Sequence, residues 1–153
     1  MTTNYETLRD AIYAVLSGIS DIGQVHKQKR WSADKEKFKT AYMATIGAAD
    51  QIRAWWISRL STASAAMTKS SYQRDYIFQI EGFMALDDSA NTEQTFQTLV
   101  DTVMDTLDAQ RPNLGGADHQ EPIALEAYSE GVIGGYLCHH AILRLTLVKF
   151  SAG

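Results

Sequence analysis

Two stretches of this chain alternate. In Gln51–Leu60, residues Ile52, Ala54, Trp56 and Ser58 fall on one face, and Arg53, Trp55, Ile57 and Arg59 on the other. In Tyr72–Met84, residues Tyr72, Arg74, Tyr76, Phe78 and Ile80 oppose Gln73, Asp75, Ile77 and Gln79. Period two is the spacing of a β-strand, whose successive side chains point to opposite faces. The aromatic and β-branched residues suit a pleated, half-buried surface. Between the two runs, Ser61–Ser71 is small and polar and predicts a flexible loop, so the pair reads as an antiparallel hairpin. The chain closes on a third alternating run. There Leu137, Ala141, Leu143, Leu145 and Leu147 share a face interrupted by His139, and His140, Ile142, Arg144, Thr146, Val148 and Phe150 lie opposite. Ile123–Glu130 predicts a further strand, and the glycine-rich Gly131–Gly135 a bend leading to the last one.

Helical spacing occurs in three places. Leu8, Ile12, Val15 and Leu16 make one apolar stripe over Asn4–Ser17, with capping-box spacing at Thr3 and Glu6 and a stop at Gly18. Gln24–Trp31 is polar and extended, a weak strand. Ser32 or Asp34 opens a sparse helical pattern running to about Met43. The cleanest stripe is Phe96, Leu99, Val100, Val103 and Leu107, opened by Asn91 with Gln94 three residues later. Gln110–Pro122 predicts a loop. Hairpins dominate and no strand–helix–strand repeat is evident. The expected class is α+β, a mostly antiparallel sheet of about four to five strands packed against two to three helices. At 153 residues, residues 1–153 are expected to make a single domain, since domains commonly run to ~100–150 residues.

Several function classes find no support. The net charge of −4 and a pI near 5.5 are opposite to the basic balance of a nucleic-acid-binding domain. Cys138 is the one cysteine, which leaves no disulfide, CxxC pair or thiolate zinc cluster. Cys138-His139-His140 alternate faces on a strand, so no metal site is expected there. No nucleophile elbow, HExxH or P-loop spacing appears, and Asp87-Asp88 sits in a turn, where Asp serves local hydrogen bonding. The reading is therefore not an enzyme, with no catalytic residue, cofactor or metal. No secretory leader or membrane-length apolar run is expected to remove it from the cytoplasm at synthesis.

Charge is segregated. His26–Lys39 carries Lys27, Lys29, Arg30, Lys35, Lys37 and Lys39, six of the chain's 14 basic residues. Asp75–Glu130 holds 12 of the 18 acids against the single base Arg111. Asp101, Asp105 and Asp108 crowd one side of the last helical stripe, where like charges at i, i+4 repel and acids near a helix C-terminus oppose its dipole. Broken local rules of this kind hint at a partner. Adjacent Trp55 and Trp56 put one ring on each face of their strand. One enters the core, and the other is covered either within the chain or by a partner. The candidate subunit interface is thus Lys27, Lys29, Arg30, Trp31, Lys35, Lys37 and Lys39 of one copy, with Trp55 and Trp56, facing Asp101 and Asp105 of the next.

The segment order carries a resemblance. The amphipathic first helix ends in Ile22-Gly-Gln-Val-His26. The strand Ile52-Arg-Ala-Trp-Trp-Ile57 follows, then Tyr76-Ile-Phe-Gln-Ile-Glu-Gly-Phe-Met-Ala-Leu86 with its acidic turn. A helix containing Glu93-x-x-Phe96 and Leu99-Val100 comes next, and the strand Ala141-Ile-Leu-Arg-Leu-Thr-Leu147 closes. Over most of its length the chain resembles tail terminator (tail completion) proteins of long-tailed bacteriophages and prophages. The resemblance implies an α+β fold and a ring, commonly of six subunits, that caps the tail tube and joins it to the head–neck connector. It implies a virion protein, met in the host cytoplasm during assembly. Its partners would be itself, the tail tube protein and the connector, with channel DNA as a rival partner for the basic segment. The alternatives are a dimeric α+β module binding a small ligand, or another neck or tail-completion protein.

Overall fold

The computed structural model describes residues 4–29, 42–46 and 49–152. Helix α1 (Tyr5–Ser17) starts at Asn4, whose side-chain oxygen accepts from the Thr7 amide at 3.1 Å, and ends at Gly18. Asn4 is the cap, one residue after the Thr3 expected from the box spacing. Leu8, Ile12 and Leu16 form its buried stripe. Strands β1 (Gln24–His26), β2 (Met43–Ile46), β3 (Ala49–Ala66) and β4 (Ser71–Ala85) follow. A 3-10 turn (Asp88–Ala90) leads into α2 (Thr92–Asp108). Then come β5 (Asn113–Leu114), β6 (Ala117–Asp118), β7 (Ala124–Ile133) and β8 (Tyr136–Ala152).

These strands overturn the expected architecture. The sheet has eight strands, not four or five, and it is a mixed, curled half-barrel with two α-helices among the described residues. Its spine runs β3–β4–β8, all antiparallel. On the outer side of β3, β1 pairs in parallel at Ala54–Trp56 and β2 pairs antiparallel at Ala49–Ile52. On the outer side of β8 lie β7 and, at Val148, β6. The extra strands β2, β5 and β6 are two to four residues long, too short to show a period. Backbone hydrogen bonding to long neighbours makes them strands. The same reason corrects two expected loops. Gln110–Pro122 contains the β5–β6 hairpin turning at Gly115-Gly116, and most of Ser61–Ser71 is strand, paired with β4 as far as Ala66↔Tyr72. Only Met67–Ser70 turns, closed by Met67 and Thr68 amides donating to the Ser71 carbonyl at 3.0 and 3.2 Å. The bend expected at Gly131–Gly135 tightens to Gly134-Gly135, both at positive φ, as a two-residue hairpin turn prefers. Of the helix expected from Ser32 or Asp34, residues 30–41 lie outside the described ones, and Met43 begins β2.

The face assignments of the three alternating runs hold. Trp55, Ile57, Tyr76, Phe78, Ile80, Leu143, Leu145 and Leu147 line one face and pack against Leu8, Ile12 and Leu16 of α1 and Phe96, Val100, Val103 and Leu107 of α2. Ile52, Ala54, Trp56, Phe83 and Cys138 form a smaller cluster with Tyr42 on the other face. Leu137, near the start of its strand, is half exposed. Trp55 pairs across the ladder with Gly82. A Cβ at Gly82 would meet three Trp55 ring carbons at 2.6 Å, so the absent side chain is the space the indole occupies. Phe96 stands on the ring's helix side, centroids 5.9 Å apart.

Candidate interaction surfaces

Trp55 and Trp56 are core residues: Trp55 is fully buried and Trp56 exposes 3% of its surface. The sheet is covered on both faces near them by this chain itself, which decides between the two readings of the pair and leaves neither ring to offer outward. Trp56 lies 4.4 Å from Phe83 and 5.7 Å from Tyr42, centroid to centroid, and the Lys29 ammonium stands 5.3 Å from its ring. Lys27 is engaged within the chain too, 3.1 Å from Asp10 and 5.1 Å from the Tyr13 ring. That contact holds the Asp10 carboxyl below its usual range. Arg30, Trp31, Lys35, Lys37 and Lys39 lie outside the described residues. Asp101 and Asp105 are exposed on α2, as expected. Asp108 is turned away from them: its carboxylate accepts from the Ile123 amide at 2.9 Å and lies 3.5 Å from the buried His119 ring.

The histidine pair divides as strand alternation requires. His140 stacks on Phe83, 4.6 Å between centroids, over the smaller cluster. His139 is buried on the helix face, its Nε2 2.9 Å from Thr92 Oγ1 and its Nδ1 3.3 Å from Tyr128 Oη. Thr92 Oγ1 also accepts from the Asp87 amide at 2.9 Å. This network fastens the first turn of α2 to β7 and β8.

Two surfaces stand out that the described residues leave uncovered. The first is an arm, the distal ends of β3, β4 and β8. Tyr76, paired with Thr62, is the last buried ring; beyond it β3 and β4 run on to Ala66 and Ser71, roughly 13 Å of strand. The arm exposes Leu60, Met67 and Phe150 by 47, 57 and 49%. It carries Lys69, Arg74 and Lys149 against one acid, Asp75, while Arg59 at its root stands 4.5 Å over the Tyr5 ring of α1. Arg74 and Lys149 are directly opposite in the ladder, a like-charge pairing that costs a sheet free energy. A hydrogen bond from Ser151 and the positive field of Arg74 and Lys149 pull the Tyr72 phenol below its ordinary range.

The second surface is a groove of about 300 Å³ between α2 and β7, lined by Gln97, Val100, Asp101, Leu125 and Tyr128. Its surroundings are acidic: Glu93, Asp101 and Asp105 on α2, Glu130 on β7, and no base from Glu93 to Gln110, while Glu126 on β7 is paired with Arg144 of β8 at 2.9 Å. Burial, then the charges of Glu130 and Glu93, push the Tyr128 phenol upward, the reverse of Tyr72. The arm was missed from sequence because Arg74 and Lys149 are distant in the chain and only the ladder register makes them neighbours.

The sheet also has two open margins. Among the described residues, no strand pairs with the outer edge of β3 from Ile57 to Ala66, nor with the outer edge of β7. Leu60–Ala66 contains no charge and no proline, the residues that ordinarily blunt such an edge.

The chain matches no family model and no curated protein. A solved chain at 15% identity aligns with 99% of this one and 100% of its own length at a TM-score of 0.46, a likeness too slight to carry an argument. No helix among the described residues is long and apolar enough to cross a membrane.

Proposed function

We propose that this chain is a ring-forming structural protein of a phage-type tail, a tail terminator or a close tail-completion relative. The observation that supports it is the pair of strand edges left open among the described residues at opposite margins of one sheet, β3 on one side and β7 on the other. A cyclic assembly joins two different patches of neighbouring copies, head to tail, and edges on opposite sides supply such patches. An unblunted edge is a hazard for a protein that works alone and an asset for one that pairs with its own kind. On this reading the tail tube protein and the head–neck connector meet the two rims of the ring, and the work is mechanical, with no cofactor. The basic segment Lys27–Lys39 then faces a neighbouring copy, another tail or head protein, or DNA in the channel.

Light scattering coupled to size exclusion tests this, at high protein concentration and with tail tube protein added. The expected result is a closed species of several copies, seen as rings with an open centre by negative-stain microscopy. A strict monomer or dimer under all of these conditions overturns the proposal.

A further inference from the structure

We infer that the arm of one copy docks in the α2–β7 groove of the next copy, with Met67 entering the groove and the arm's cations facing its acidic surroundings. This rests on the ring reading and names the contact that would build it. Four observations converge on a second copy as the occupant.

The first is charge. The arm holds Lys69, Arg74 and Lys149 against Asp75, whereas α2 and β7 present Glu93, Asp101, Asp105 and Glu130, Glu126 being paired with Arg144 at 2.9 Å. The Ser151 hydrogen bond and then the arm's cations lower the Tyr72 phenol, whereas burial and then Glu130 and Glu93 raise the Tyr128 phenol in the groove. Complementary fields of this kind set orientation and partner choice.

The second is shape. The groove is walled by Val100, Leu125 and Tyr128 with Asp101 at its rim, and its 300 Å³ has room for one long unbranched side chain. Met67 sits at the hairpin tip, 57% exposed, two residues before Lys69. A thioether chain adapts to an irregular apolar slot, and an ammonium beside it reaches a rim carboxylate.

The third is a pair of like-charge placements. Arg74 and Lys149 face each other across the ladder, and acids line α2 down to its C-terminal turn. Each repulsion is relieved by the surface bearing the other sign. The fourth is the sheet edge. Among the described residues β3 from Ile57 to Ala66 and β7 each keep one edge that pairs with no strand, and in the proposed docking these are the margins left for a neighbouring copy.

Cysteine pairing between different copies tests the contact. The native Cys138 is buried and does not compete. Full-length Met67→Cys and Gln97→Cys chains are mixed under mild oxidation at a concentration where scattering shows assembly. The expected product is the mixed pair, in excess over either like pair by roughly tenfold, as a specific heterologous contact demands. Lys69→Glu with Arg74→Glu should weaken association roughly tenfold at low salt, and Asp101→Lys in the partner chain should restore part of it. If assembly proceeds but only like pairs or none form, the arm docks elsewhere and the ring reading stands without it. If Lys35→Glu, Lys37→Glu and Lys39→Glu abolish assembly while the arm reversal leaves it intact, the basic segment holds the acidic surface and the arm inference is overturned. No association under any condition, tail tube protein included, overturns both.

Discussion

Strand β3 lives in two environments. From Ile52 to Ile57 all six residues are buried, between α2 and the Phe96 side chain on one face and the Tyr42–Phe83 cluster on the other. From Arg59 onward every residue is exposed, yet the strand continues in register with β4 to Ala66, after a bulge at Leu60. The first half is held by packing and the second by its backbone ladder, with β4 seated between β3 and β8. A ladder satisfies amide and carbonyl groups without asking anything of the side chains. Those of the arm are therefore free to be chosen for something other than the fold, and they are cationic, small, or apolar and exposed.

Substitutions can break this contrast. The largest effect is expected in the body. Phe96→Ala removes a fully buried ring from between Trp55, Tyr128 and His139, and should cost ~3–5 kcal/mol by urea unfolding. A loss below about 1 kcal/mol would mean that α2 is not fastened over β3 as described.

Next is Gly82→Ala. The new methyl has no room beside the Trp55 ring carbons and must displace a rigid indole, a cost of ~1–3 kcal/mol. Tryptophan fluorescence should shift with the loss. An unchanged midpoint and spectrum would place Trp55 off Gly82.

A smaller effect, visible as a pH slope, belongs to His119. Burial holds its imidazole below the ordinary 6.5, against the opposing pull of Asp108. The folded state thus favours the neutral ring. That contribution is fully present above the unfolded pKa and is lost as pH falls through the depressed folded one. Stability should decline as pH drops below about 6.5, and His119→Gln should flatten that slope whatever it does to the absolute midpoint. Equal slopes in the two proteins would show that His119 charges as easily folded as unfolded.

The smallest effect is expected on the arm. Phe150→Ser and Met67→Ala should each move the monomer's unfolding free energy by no more than about 0.5 kcal/mol, since both side chains are about half exposed and belong to no buried cluster. A cost of about 2 kcal/mol or more in dilute solution would mean that the arm folds back onto its own body.

What the sequence determined by itself is the set of faces. Period two in Gln51–Leu60, Tyr72–Met84 and Leu137–Phe150, and period 3.6 around Phe96, are local properties of the chain. They placed Trp55 with Phe78 and Leu145, and Trp56 opposite. The acid row of Asp101 and Asp105 was legible for the same reason. Tertiary structure alone decided the rest. The small strands β2, β5 and β6 exist because long neighbours offer hydrogen-bonding partners, which no pattern of four residues or fewer announces. Ser61–Ala66 reads as loop by composition and is strand because β4 pairs with it. Arg74 meets Lys149, and Leu125 meets Val100 across the groove, through pairing between segments far apart in sequence. Whether Trp56 faced a partner or its own chain was open from the sequence, because alternation fixes the side a residue takes but not what covers that side.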